Sequence, residues 1–330
     1  MKAIGVHGEK GNPELVWEEA PDVDYAPGEV LVDVRAAAVN RADLMQARGH
    51  YPPPPGASKI LGLEMAGVIR EVGADVAGWS AGDRVCALLP GGGYAEQVAV
   101  PAGMLLRLPD HWTFAQGAAV PEVWYTAYIN LFQEGQLKPG ESTLIHAGAS
   151  GVGTAAIQLA VDAGAGAFVT AGSDEKTERC RALGAELAIN YTKQDFLAEV
   201  MAATGDEGVD VILDPVGGSY LERNIAALRP FGRLVIIATL GGPKGELHLG
   251  QVLGKRLRIV GSTLRGRPPA EKVAITRAFE ASIWPKLAGG VLQPIIDTVI
   301  PINEAHTAHE YVTANRNVGK VILEIPPIRS

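Results

Sequence analysis

Short β-rich runs separated by turns occupy the first hundred residues, at 29–34, 65–72, 82–88 and 95–100. This spacing predicts an all-β unit, a barrel in its simplest closure. From about Glu122 the rhythm changes to alternating strands and helices. Strands are expected at 143–147, 167–171, 187–190, 209–214, 232–238 and 258–261, with helices at 152–163, 175–183, 194–203 and 220–227. That alternation predicts a parallel sheet covered on both faces and joined by right-handed crossovers. A last stretch from about Gly266 carries a helix through Leu287, a strand at 297–300, a helix at 304–314 and a strand at 320–325.

Composition narrows the reading. At 330 residues the chain is long enough for two domains, and 47% hydrophobic with 20% charged residues is ordinary globular usage. The run from Thr143 to Ser173 holds one charge, Asp162, but its glycines break it into strand, helix and strand rather than a membrane span. The net charge of -8 repels phosphate backbones and argues against nucleic acid as a partner. Two cysteines, Cys86 and Cys180, are too few for a disulfide framework or a four-cysteine zinc lobe. With no apparent signal peptide, a cytoplasmic protein is expected.

The chemistry concentrates first at Ile145-His146-Ala147-Gly148-Ala149-Ser150-Gly151-Val152-Gly153, where a strand ends and a helix opens. Helix amides there suit a dinucleotide pyrophosphate, so Gly148, Ser150, Gly151, Val152 and Gly153 are candidate cofactor contacts, although Ser150 stands at the middle glycine of the G-x-G-x-x-G pattern. About twenty residues on, an NAD site carries an acid for the ribose. Here that position is Ala171, which favours NADP(H). Ser173, Lys176 and Tyr191 are candidate ligands of the extra phosphate. The same residues also read as ordinary helix chemistry, Ser173 as a cap and Lys176 as a solvated charge. Asp174 would reverse the preference if it turned inward.

Asn40-Arg41-Ala42-Asp43-Leu44, Gly62-Leu63-Glu64-Met65-Ala66-Gly67, Gly82-Asp83-Arg84-Val85 and the turn from Ala147 to Gly153 occur in order. With them the chain resembles the medium-chain dehydrogenase/reductase superfamily over nearly its whole length. Tyr51-Pro52-Pro53-Pro54-Pro55-Gly56, Leu89-Pro90-Gly91-Gly92-Gly93 and the Ile145 to Leu159 segment look like the zinc-free NADPH:quinone oxidoreductases, nearest the p53-inducible quinone oxidoreductase branch.

The resemblance implies an α/β fold: a GroES-like β-barrel catalytic domain from 1–122 with 266–330, and a doubly wound Rossmann domain binding NADPH at 123–265. Zinc members carry a cysteine near Asn40 and a histidine where Leu63 stands, so no metal is expected. His306 and His309, beside Glu304 and Glu310, read as solvated surface. Tyr51 is the first candidate to contact the acceptor ring in a nicotinamide cleft; Asn40 and Asp43 match the segment lining it, and Asp43 reads equally as a helix cap. Thr126 matches a residue packing near the nicotinamide, and Asn317 matches a cofactor-contacting asparagine. Backbone at Ala238, Leu240, Gly241, Thr263 and Leu264 would meet the carboxamide. The implied function is transfer of hydride or electrons from NADPH to a small-molecule quinone. An NADPH-dependent enone or 2-alkenal reductase is the enzymatic alternative, and a crystallin-like or RNA-binding protein that merely holds NADPH is the non-catalytic one. The last Rossmann strand would leave an open edge, so a homodimer is expected, without nucleic acid or membrane partners.

Overall fold

The strand Lys320–Glu324 pairs antiparallel with Glu29–Ala38, Ile322 opposite Ala38, so residues from the two ends of the chain build one sheet. Its order is Ile296–Pro301, Lys320–Glu324, Glu29–Ala38, Glu64–Val72, Arg84–Leu88 and Leu105–Arg107, and Gln97–Pro101 also pairs with Glu29–Ala38. All neighbours are antiparallel except the first two strands. The computed structural model describes residues 1–9 and 11–328. This sheet belongs to a unit of Met1–Tyr125 with Leu264–Ser330; Thr126–Thr263 forms a second unit.

The second unit is a six-stranded parallel sheet ordered Leu187–Asn190, Gly166–Ala171, Ser142–Ile145, Val209–Asp214, Leu228–Ile236, Arg258–Gly261. The order reverses beside Ser142–Ile145, which is where a doubly wound sheet opens a binding crevice at its carboxyl edge. Leu144, Phe168, Ile189, Phe196, Ile212, Ile225 and Leu234 pack into one buried cluster. Both the α/β class and the parallel sheet agree with the sequence reading. Thr143 to Ser173 is indeed strand, helix and strand, and among the described residues no helix is long and apolar enough to cross a membrane.

Three of the elements that differ from expectation have a plain physical reason. The helix expected through Leu287 is two, Pro269–Ser282 and Trp284–Ala288, because Pro285 lacks the amide that would continue the ladder. The hairpin Lys2–Glu9 with Asn12–Glu19 carries a weaker alternation and escaped the sequence reading. So did the helix Leu249–Lys255, whose Leu249 and Leu253 are 70% and 79% exposed and give it no buried stripe to read.

The turn after Ser142–Ile145 shows why its sequence is glycine-rich. A Cβ on Gly153 would stand 2.4 Å from the carbonyl oxygens of Ala147 and Gly148, and one on Gly148 would stand 2.7 Å from Val169 Cβ. Backbone cannot yield as a side chain can. Gly153→Ala is therefore expected to cost about 2 kcal/mol or more, read as a lowered unfolding midpoint in a thermal or urea melt; an unchanged midpoint would refute this packing.

Candidate active site

Most of the residues expected to contact a cofactor lie in the Thr126–Thr263 unit. Ser150 caps the helix Gly151–Asp162, its Oγ accepting the Gly153 amide at 3.0 Å. The amides of Gly151 and Val152 then lie in the first turn, where helix geometry offers them no intrahelical acceptor. Ala147, just before, holds a left-handed φ of 54°, a conformation that costs an L residue about 1 kcal/mol and turns the chain sharply out of the strand. Beneath this turn runs a buried chain of hydrogen bonds. Asn224 Nδ2 donates to Asp214 Oδ2 at 3.0 Å, which points its Oδ1 at His146 Nε2, 2.7 Å away. His146 therefore carries its proton on Nε2, and Nδ1 accepts from Thr170 Oγ1 at 3.0 Å. Burial pushes His146 down to about 4, so it is neutral and acts as a structural tie. Sequence reading passed over it as part of the glycine motif.

At the carboxyl end of Gly166–Ala171, Ser173 Oγ accepts the Lys176 amide at 3.2 Å, the capping role allowed for it. Tyr191 is 41% exposed, and its hydroxyl lies 2.7 Å from where a Gly172 Cβ would stand. Asp174 does not point at that surface unpaired. Asn190 Nδ2 donates to its Oδ1 at 2.6 Å and Lys193 Nζ pairs with its Oδ2, and these two hold its carboxyl below the ordinary range. Lys193 was missed; its only sequence signal is a position two residues beyond Tyr191. Farther along the sheet edge, the Leu240 and Gly241 amides donate to Pro215 and Val216 carbonyls at 3.1 and 2.7 Å, which fixes the loop carrying Ala238. Thr263 closes this unit, and Leu264, 6% exposed, opens the final segment of the other. Thr126 accepts at its carbonyl from Asn130 Nδ2 at 2.7 Å.

In the other unit the register of Lys320–Glu324 on Glu29–Ala38 brings Lys320 level with Asn40. Lys320 Nζ donates to Asn40 Oδ1 at 2.7 Å, to the Val39 carbonyl at 3.0 Å and to Glu64 Oε1 at 2.8 Å. Asn40 Nδ2 also donates to Glu64 Oε1 at 2.8 Å, and the Glu122 amide donates to Glu64 Oε2 at 2.8 Å. Glu64 and Lys320 are 0% and 3% exposed. Lys320 had no role in the sequence reading, since its burial follows only from the pairing of distant strands. The turn that precedes it is held by Asn317, whose Nδ2 donates to the Gly319 carbonyl at 2.7 Å.

Asp43 is fully buried and fastens its surroundings. Its carboxylate accepts the Asn40 amide at 2.8 Å and the Gly62 amide at 3.0 Å, and burial raises it to about 6 against the pull of those two amides. Tyr94 OH bridges Asp43 Oδ2 at 3.5 Å and His309 Nε2 at 3.2 Å. His309, expected on the surface, is 7% exposed and pushed down to about 3 by burial; only His306 is exposed, beside Glu310. The helix Ala305–Thr313 turns His309 inward with Ala305, Ala308 and Val312, a stripe at helical spacing in which a neutral histidine passes as apolar.

Tyr51 is half-buried, which raises its phenol above the ordinary value. The Arg265 guanidinium lies 5.2 Å from its ring centroid and is pinned by Pro90 O at 2.8 Å, Gln46 Oε1 at 2.6 Å and Tyr51 O at 3.3 Å. Arg265 was also missed. Glu122, in the first turn of Pro121–Tyr128, has an enclosed Oε2 that finds no hydrogen-bond partner among the described residues. Burial pushes this carboxyl up to about 8, with Glu64 adding to the rise.

Zinc does not fit this donor set. Leu63 is apolar and fully buried, and the ammonium of Lys320 already occupies the oxygens of Asn40 and Glu64. Among the described residues no three His, Cys, Asp or Glu side chains group as metal ligands.

Residues 26–110 match the Alcohol dehydrogenase GroES-like domain family and residues 151–280 the Zinc-binding dehydrogenase family. The chain is 32% identical over 335 residues to 2-haloacrylate reductase of a Burkholderia species, covering 98% of both proteins. It is 31% identical over 327 residues to quinone oxidoreductase of Rattus norvegicus, covering 98% of this chain and 97% of the relative. Among solved structures, quinone oxidoreductase of Escherichia coli complexed with NADPH superposes with a TM-score of 0.87 at 29% identity, over 98% of this chain and 100% of that one. CurK enoyl reductase superposes with a TM-score of 0.86 at 30% identity, over 98% and 99%.

Removing the ammonium from this cluster leaves Glu64 charged and buried. Lys320→Met is expected to destabilise the protein by about 3–5 kcal/mol in denaturant melts, and adding Glu64→Gln should recover part of the loss. A melt of Lys320→Met that matches wild type would show the pair to be dispensable.

Proposed function

The chain is an oxidoreductase of the medium-chain dehydrogenase/reductase superfamily, and from that footing we propose that it reduces a quinone at the expense of NADPH without a metal. One observation carries the reading. Where zinc members place ligands this chain has Asn40 and Leu63, and Asn40 and the adjacent Glu64 are bound to Lys320, so the acceptor is polarised by hydrogen bonds alone and must itself be electrophilic. A quinone meets that condition, because reduction makes its ring aromatic and its oxygens take protons from water.

NADPH supplies the hydride when bound. Gly148, Ser150, Gly151, Val152 and Gly153 hold the pyrophosphate against the helix N-terminus, with Thr126, Ala238, Leu240, Gly241 and Thr263 toward the nicotinamide. Ser173, Lys176 and Tyr191 take the 2′-phosphate, joined by Lys193, which also keeps Asp174 occupied. Tyr51 contacts the acceptor, braced by Arg265, while Asn40 and Asp43 shape the wall. A second reading, reduction of an α,β-unsaturated carbonyl, draws support from the enclosed Glu122 carboxyl and from the similarity to 2-haloacrylate and enoyl reductases.

Steady-state oxidation of NADPH with a quinone is expected, and failure with quinones alongside turnover of enones would shift the function to the second reading. Lys176→Ala and Lys193→Ala should each lower the ratio of NADPH to NADH efficiency about tenfold, the loss of one charge-assisted contact to phosphate. An unchanged ratio in both would move the phosphate elsewhere. We also propose a homodimer through the Arg258–Gly261 edge, which is paired on one side and lies in sequence just beyond the exposed Leu249 and Leu253. Size-exclusion chromatography with light scattering should give a dimer, and Leu253→Glu a monomer; a wild-type monomer would refute this.

A further inference from the structure

We infer that Glu122 is a proton donor, its carboxylic acid delivering the proton that completes reduction of an α,β-unsaturated carbonyl. This rests on the reading of the chain as a nicotinamide-dependent reductase and adds the acid that such a substrate requires.

Three observations converge on this side chain. Its amide is bonded to Glu64 at 2.8 Å, which sets it beside the Asn40 and Glu64 pair. Its Oε2 is enclosed and without a hydrogen-bond partner among the described residues, an arrangement that is unfavourable for a neutral group and more so for a charged one. A substrate oxygen hydrogen-bonded to the carboxyl would satisfy it. Finally, Glu122 stands one helical turn before Thr126 in Pro121–Tyr128, so the two share a helix face. Thr126 is the residue placed toward the nicotinamide in the reading on which this inference rests.

The groups around Glu122 settle its protonation. Glu64 and Asp43 raise its pKa, Lys320 and Arg265 lower it, and burial outweighs them all, leaving it near 8. Tyr51, itself raised by burial, and Lys272, lowered by burial, are also within electrostatic reach. At neutral pH the carboxyl holds its proton.

The step balances. Hydride from the reduced nicotinamide forms the new C–H bond at the β-carbon, and the electron pair of the double bond moves into an enolate. The Glu122 O–H bond breaks as its proton joins the α-carbon, and the carboxylate recovers a proton from solvent. A quinone needs less of this help, since water protonates hydroquinone oxygens.

Glu122→Gln keeps the shape and removes the acid. The expected result is a kcat lowered about 10²-fold with an enone and less than about tenfold with a quinone, with NADPH affinity by fluorescence titration unchanged. In wild type, enone turnover should fall as pH rises past about 8, and this limb should vanish in Glu122→Gln and return with part of the rate in Glu122→Asp. Infrared difference spectra of the cofactor-free protein should show a protonated carboxyl band that is lost as pH rises through about 8 in wild type and is absent from Glu122→Gln. No such band, or a Glu122→Gln enzyme with wild-type enone kcat, overturns the inference while leaving the reductase reading in place. A wild type that binds NADPH yet reduces neither enones nor quinones overturns both.

Discussion

Lys320 is the constraint on which the unit of Met1–Tyr125 with Leu264–Ser330 turns. Its ammonium sits 3% exposed with three oxygen acceptors, one a carboxylate that is itself 0% exposed. Taking an ammonium and a carboxylate out of water costs several kcal/mol each, and the attraction between them returns that only with close geometry and full hydrogen bonding. Both conditions hold here. The strand Lys320–Glu324 must keep its register on Glu29–Ala38, because a slip of one residue would send the lysine to the opposite face and leave Glu64 alone. The C-terminal strand, Asn40 and the Glu122 helix start are thus tied to one electrostatic point.

One satisfied ion pair also decides what its neighbours are. Glu64 is paired with Lys320, and the second carboxyl nearby, Glu122, has no cation of its own at contact distance among the described residues. Glu122 therefore stays protonated near neutral pH, while Asp43, given two backbone amides, is raised only to about 6. His309, buried against Tyr94, gives up its charge instead. Burial alone does not distinguish Glu122, Asp43 and His309; the partners each one finds do.

Much of this was legible in the sequence. The switch from turn-separated β runs to alternating strands and helices marks a real change of architecture, and the strand-turn-helix at Ile145 to Gly153 lies where glycine leaves room for backbone to meet backbone. The local part of the site, Ser150, Ser173 and Asp43 with their capping bonds, follows from residue types at helix starts. What was not legible depends on pairing across long separations. Lys320 reaches Asn40 over 280 residues and Arg265 reaches Gln46 over 219, and neither is distinguishable in sequence from a solvated cation. His309 failed for a different reason. Two histidines three apart beside glutamates read as a polar face, yet His309 falls in register with Ala305, Ala308 and Val312, and only its neutrality allows that.

The same electrostatics bounds the substrates of the metal-free reductase proposed above. A metal ion at a carbonyl oxygen contributes several kcal/mol of charge stabilisation, whereas one hydrogen bond from a phenol such as Tyr51 contributes about 1–3 kcal/mol. Since the oxygens of Asn40 and Glu64 are committed to Lys320, that larger contribution is closed to this chain. An unactivated ketone develops nearly a full alkoxide charge as hydride arrives and would be left without adequate stabilisation. A quinone or an enone spreads that charge over its own conjugated system, and a buried acid can then discharge it. The chemistry therefore moves from the protein's electrophile to the substrate's, which is why an ammonium in the centre of the unit is compatible with reduction.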